Sequence, residues 1–417
     1  MEIDKIVFYY PSRITGGAEY LFMRCAEYLS THQEKYTIYY VDYEDGFVRK
    51  NISSSCVSFL DFEEYKKIDI KSGTAVIVQL NILPRIDELF CYDFKQSLFI
   101  FWCLHTLNLK GFINRREFYF LTKNELRHLG NQIRILSEMN IVKYMGPVAY
   151  IKVVKDMFQK PQQFEWLRNI TPNYINVDEL KVYNERISCD EIKFCWLGRL
   201  SDEKVYNVVT YMNELEAYAQ KHKLSLSLIG KGTSEEYLKE VATHYSYPIR
   251  FVGEKRDEEL NQFIINETEI GLASGTSALE FAMRGKPVIF ETVIDKIYDA
   301  GQRKKYFLMS MDNLKIDKDT MDISHEGECD FERKVDQVLS NYSAISKAEF
   351  KYTKQFTASD CTNKLIDAIE YVSRLDSKSI DYHVKRAIQF LNRGRKRIYV
   401  FHKIRIFFQR FTFGKEL

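Results

Sequence analysis

Short apolar runs alternate with longer stretches of helical period along most of the chain. "KIVFYY" (5–10), "KYTIYYV" (35–41), "TAVIVQL" (74–80) and "SLFIFWCL" (97–104) predict buried strands. Between the first two, Ala18, Phe22, Cys25 and Leu29 recur at the spacing of one helical face. "NITPNYINVDEL" (169–180) interrupts the alternation, with Pro172 and Asn173 as loop signals. A second series follows: "IKFCWLG" (192–198), "SLSLIG" (225–230), "IRFVG" (249–253), "EIGLA" (269–273) and "KPVIF" (286–290). Strands alternating with helices imply parallel sheets covered on both faces. The pattern therefore predicts an α/β protein of two doubly wound, Rossmann-like domains joined near residue 175. The expected division is 1–175, 176–345, helices returning toward the first domain over 346–376, and a tail over 377–417.

The length of 417 residues agrees with two domains. A formal charge of +2 hides a contrast: residues 377–417 hold 11 Lys/Arg and 2 Asp/Glu, so an acidic body carries a basic tail. In that tail Ile398, Phe401, Ile404, Phe408 and Phe411 fall near one helical face, with Lys396, Lys403 and Arg410 toward the other. Such a pattern reads as a helix lying on an anionic membrane surface, or as a terminal helix packed on the acidic body. None of the eight cysteines forms a CxxC pair, so neither a zinc site nor a redox motif is read. No secretory segment opens the chain and no apolar run is long enough to span a bilayer, which together suggest a cytoplasmic protein. Nothing points to nucleic acid.

Three loops at predicted strand ends carry candidate chemistry. Gly16 and Gly17 follow the first strand, where paired glycines let a ligand approach the backbone or simply make a tight turn capped by Thr15. Arg199 and Lys204 follow the first strand of the second series. Two cations there suit a diphosphate, or they pair with Asp202 and Glu203 in solvent. Ser274, Gly275, Thr276 and Ser277 lie between a strand and a helix stopped by Gly285, and Glu280 sits one turn inside. A helix start with unhindered amides binds phosphate, and a carboxylate one turn in can take both ribose hydroxyls. The same residues fit a capping box, Ser277-x-x-Glu280. His105, ending the fourth strand, could contact a substrate, move a proton or be structural. The single D-x-D, Asp317 to Asp319, lies late in a charged stretch and reads as a solvated turn, so no metal site is expected. GxGxxG is absent, which weighs against the rival reading of a nucleotide-binding oxidoreductase or epimerase. GxSxG, HExxH and P-loop patterns are absent too.

Taken in order, "GGAE" (16–19), "ITPNYIN" (170–176), "FCWLGRLSDEK", "SLSLIGKG", "IRFVGEKRDEEL" and "EIGLASGTSALEFAMRGKPVIF" resemble the GT-B glycosyltransferases, most closely the retaining family four. The resemblance covers about residues 5–375 and is strongest over 192–290. It implies a metal-independent hexosyltransferase with no cofactor, using a nucleotide-sugar donor, a UDP-sugar by preference, and a saccharide or lipid-linked acceptor. Surface-polysaccharide assembly at the inner face of a bacterial membrane is the setting it implies. Arg199 and Lys204 would hold the donor diphosphate, with Ser274, Gly275, Thr276 and Ser277 offering amides or hydroxyls. Glu280 would bind the ribose, Gly16 and Gly17 would face the diphosphate, and His105 would lie near the transferred sugar. Two positions depart from the family: Leu272 stands where an acid is usual, and Val205 where a glycine is usual. The donor sugar and the anomeric outcome therefore do not follow from the resemblance. A non-enzymatic binding protein of the same fold is the third reading.

Overall fold

A computed structural model describes residues 1–14, 16–104, 121–146, 150, 186, 190–273, 275–290, 296–303, 305–309, 314–316, 323–325, 327–393 and 397. The chain divides into two units, Met1–Ile170 with Ala358–Leu417, and Thr171–Thr357.

The first unit is built on six strands: β1 (Lys5–Tyr9), β2 (Thr37–Asp42), β3 (Val57–Asp61), β4 (Thr74–Gln79), β5 (Ser97–Cys103) and β6 (Val142–Tyr144). Their spatial order is β3-β2-β1-β4-β5-β6, and every neighbouring pair is parallel. Each residue of β4 and β5 is buried, which requires helices on both faces. The order reverses between β1 and β4, so the loops leaving these strands diverge and open a crevice at the carboxyl edge. The two outermost strands were not read from the sequence. Val57–Asp61 is largely half-exposed and Val142–Tyr144 has three residues, so neither shows a buried-strand pattern.

The C-terminal helices belong to this unit. The helix Ala358–Ser373 docks through the Met1 amino group on Ser373 O (2.7 Å) and a Lys35–Glu370 ion pair (2.7 Å). A further helix, 377–393, starts on Asp376, whose carboxylate accepts from Lys378 N and Ser379 N. It buries Ile380, Val384, Ala387, Ile388, Phe390 and Leu391. It also meets the helix Lys123–Glu138: His383 Nδ1 is 2.8 Å from Gln132 Oε1, His128 stacks on Phe390, and Arg397 forks onto Glu125 at 2.7 and 3.0 Å. Arg397, and then the Thr122 amide, hold the Glu125 carboxyl down to about 2. The beginning of the expected tail is thus a packed structural helix, because its apolar positions match a protein face. The aromatic stretch beyond residue 397 lies outside the described residues.

The second unit holds β7 (Ile192–Leu197), β8 (Leu224–Ile229), β9 (Ile249–Gly253), β10 (Ile270–Ala273), β11 (Val288–Phe290) and β12 (Phe307–Leu308), in the order β9-β8-β7-β10-β11-β12. All pairs are parallel except β11 with β12. Phe194 and Trp196 of β7 join Leu226, Leu228 and Leu272 against Tyr211, Met212 and Leu215 of the helix Val205–Ala219. Cys195 and Ala273 pack on the other face with Ile264, Ala278 and Phe281. Buried acids finish the edges. Glu349 accepts from Val288 N (2.8 Å) and Met309 N (3.3 Å), and Glu214 accepts from Gly301 N (2.9 Å). Among the described residues no helix is long and apolar enough to cross a membrane.

Candidate functional site

In the second sheet the strand order reverses at β7 and β10, which are neighbours in register, Leu272 opposite Trp196. The loop 198–204 and the turn at Gly275 that leave them therefore lie side by side at the switch point.

The first loop is held by its neighbour across β8. Gly198 N donates to Ile229 O (3.0 Å), Leu200 N to Lys231 O (3.0 Å), and Ser234 N to Leu200 O (2.9 Å). Two glycines make this approach possible. A Cβ on Gly230 would lie 2.0 Å from Gly198 O, and one on Gly232 would lie 2.2 Å from Leu200 O. Gly230 also has φ +139°, a conformation side chains disfavour. "GKG" was visible in the sequence, but its partner loop was not.

Arg199 is exposed and Lys204 half-buried, and neither makes an ion pair or side-chain hydrogen bond among the described residues. The alternative pairing with Asp202 is not formed. Asp202 Oδ1 instead accepts from Ser234 Oγ (2.6 Å) and Thr233 Oγ1 (3.0 Å), which hold its carboxyl below the usual range. Burial first, and then Arg199, push the Lys204 ammonium below the ordinary lysine value, against Glu203. Two neighbouring cations with no ion-pair partner among the described residues form a site of positive potential, which an arriving anion would relieve.

The second loop enters the helix Thr276–Ala282, whose N-cap is Gly275 at φ +66°. No side chain caps this helix, so the Ser277–Glu280 capping box is not formed. The reason is register: Ser277 is already the second helical residue. Thr276 and Ser277 make no side-chain hydrogen bonds among the described residues, and Ser274 lies outside them. Glu280 points its Oε2 at Nη1 of the fully buried Arg284, 2.9 Å away. Arg284 also donates to Asn261 Oδ1 (2.9 Å) and to the Glu280 carbonyl (2.6 Å). This pair escaped the sequence reading, although i and i+4 spacing announces it. Leu272 is buried in the core, so no acid from β10 reaches the site.

In the first unit Gly16 is the extended N-cap of the helix Gly17–His32, with no side-chain cap, and Thr15 lies outside the described residues. A Cβ on Gly16 would sit 2.4 Å from Glu19 Oε2. Glu19 is 5% exposed and accepts from Ser12 Oγ (3.0 Å). Buried Asp42, ending β2, accepts four backbone N–H groups, from Ser12, Tyr43, Val48 and Arg49, at 2.9–3.1 Å. It ties the glycine loop to the next one, a role no sequence motif announces. His105 lies outside the described residues.

No model of a known protein family matches the sequence, and no curated protein matches it. Solved structures do. HepE of Anabaena, crystallised with UDP, superposes with a TM-score of 0.54 at 11% identity, over 88% of this chain and 99% of that one. The fold is GT-B. A glycosyltransferase from Rickettsia africae gives a TM-score of 0.54 at 10% identity, over 90% and 100% of the two chains. WaaB, a lipopolysaccharide outer core galactosyltransferase, gives 0.50 at 12% identity, over 88% and 99%. The switch point of the second sheet carries Arg199, Lys204, Gly275 and Glu280.

Proposed function

We propose that the chain is a glycosyltransferase that moves a sugar from a nucleotide-sugar donor, a UDP-sugar by preference, to a saccharide or lipid-linked saccharide acceptor. The observation that carries the reading is the couple Arg199 and Lys204, without ion pairs among the described residues, beside the uncapped helix start at Gly275. HepE has been crystallised with UDP and with UDP-glucose, which supports a uridine donor.

Breaking a sugar–phosphate bond builds negative charge on the leaving diphosphate. The Arg199 guanidinium would fork onto its oxygens, Lys204 would add a point charge, and the amides of Gly275, Thr276 and Ser277, with Ser274, would complete the cradle. Glu280, oriented by Arg284, would take the ribose hydroxyls. By the resemblance, Gly16 and Gly17 would face the diphosphate and His105 would lie near the transferred sugar. The fixed cations do the work a divalent metal does elsewhere, so activity should survive EDTA. Retention of anomeric configuration follows the resemblance to family four, and the anomer of the product tests it. The basic aromatic stretch after residue 397 would hold the enzyme at the inner face of the membrane, next to a lipid-linked acceptor.

The deciding experiment is calorimetric titration with UDP of the wild type, Arg199→Ala and Lys204→Ala. Each variant should bind at least about tenfold more weakly and melt like the wild type. Equal binding by all three would refute the diphosphate site. Release of sugar from UDP-sugars in the presence of acceptors then separates a transferase from a binding protein of the same fold.

A further inference from the structure

At the 198–204 loop two polar atoms are buried without a hydrogen-bond partner among the described residues: Nε1 of Trp196 and Oγ of Ser201. Trp196 is 1% exposed, and its ring packs against Tyr211 with centroids 5.9 Å apart. Packing accounts for the ring and not for the N–H, since a phenylalanine would fill a core position without stranding a donor. The surroundings of the N–H are specific. The point where a Cβ on Gly198 would stand is 3.6 Å from Trp196 Nε1 and 3.4 Å from Lys204 Nζ. Two nitrogen donors, one buried and unbonded and the other without an ion-pair partner among the described residues, thus stand side by side at Gly198.

We infer that Trp196 is a positioning residue of the phosphate subsite, its indole N–H donating to an oxygen of the nucleoside diphosphate held by Lys204, or to one water bound to that oxygen. The inference rests on the reading of Arg199 and Lys204 as diphosphate ligands. It adds a neutral donor from the floor of the site, out of the core strand β7, where the sheet holds it rigidly. Nε1 is covered before the ligand arrives, so the oxygen reaches it as the neighbouring Lys204 side chain moves onto the phosphate. The orphaned N–H is the apo state's cost, relieved on binding.

Trp196→Phe keeps an aromatic ring and deletes the N–H. Titrated with UDP, it should bind about tenfold more weakly than the wild type. Full affinity in Trp196→Phe alongside lost affinity in Lys204→Ala would leave Trp196 a packing residue and sink the inference alone. A wild type that binds neither UDP nor any other nucleoside diphosphate overturns this inference and the proposed function together. Should Trp196→Phe fail to fold, the indole N–H resonances of the ¹⁵N-labelled wild type decide. The chain has three tryptophans, so Trp102→Phe and Trp166→Phe assign the Trp196 signal. It should move downfield on addition of UDP, and a resonance that stays in place rejects the hydrogen bond.

Discussion

Glu280 Oε2 lies 2.9 Å from Nη1 of Arg284, a guanidinium with no solvent exposure, so the proposed ribose ligand is also the counter-ion of a buried cation. Glu280→Gln therefore does more than remove a ligand. Gln can still accept the hydrogen bond, but the charge pair is gone, and a loss of about 1–3 kcal/mol in unfolding free energy is expected. Glu280→Gln with Arg284→Met should recover most of that stability and none of the donor affinity. Denaturant melts and UDP titrations on the three proteins check it. Unchanged stability in the single variant would contradict the coupling.

Ser234 should matter for anion binding although it belongs to the neighbouring loop. Its hydroxyl holds the Asp202 carboxylate at 2.6 Å. Ser234→Ala leaves Thr233 alone to do this and lets Asp202 compete for Arg199 and Lys204. Exposed ion pairs are weak, so UDP affinity should fall only about two- to fivefold. Asp202→Asn in the same background should restore it. An affinity insensitive to both changes would show that Asp202 never reaches the cations.

Lys286 is 1% exposed, and burial pushes its ammonium down to about 8 from 10.5, with Glu269 opposing. The unfolded chain therefore binds more protons than the folded one between about pH 8 and 10.5, and this group adds stability as pH rises through that window. Below pH 8 the buried charge costs its full amount. Lys286→Met should melt higher than the wild type at pH 7, and the difference should shrink toward pH 10.5. A difference independent of pH would reject the assignment.

Two truncations separate anchor from scaffold. Ending the chain after Leu375 removes the helix 377–393 and its six buried apolar side chains, each contributing about 1.5–3 kcal/mol for the larger ones, so the first unit should lose its cooperative melt. Ending it after Arg397 keeps that helix and the Glu125 pair. This second protein should fold, bind UDP normally and no longer sediment with anionic vesicles. Equal vesicle binding by the full chain and the Arg397 truncation would end the membrane proposal.

The alternation of apolar runs and helical periods determined the fold class, because a parallel sheet buried on both faces writes itself as continuous apolar segments, as in β4, β5 and β10. The candidate cations were legible for a related reason: a strand end followed by Arg199 and Lys204 marks the carboxyl edge of a sheet. Edge strands such as Val57–Asp61 were not legible, because a half-exposed strand lacks that pattern. What the sequence left open at the site was pairing, since partners come from loops far along the chain. Only the packed structure turns Asp202 toward Ser234 and leaves Arg199 and Lys204 without an ion pair among the described residues. Spacing also allowed Ser277 and Glu280 to cap a helix, and only the backbone conformation of Gly275, with the burial of Arg284, assigned Glu280 to an ion pair instead. Local periodicity is a property of neighbours in the chain, and it records which faces are buried. Charge compensation is a property of neighbours in space, so it was decided by the order of the strands and the close approach that Gly230 and Gly232 permit.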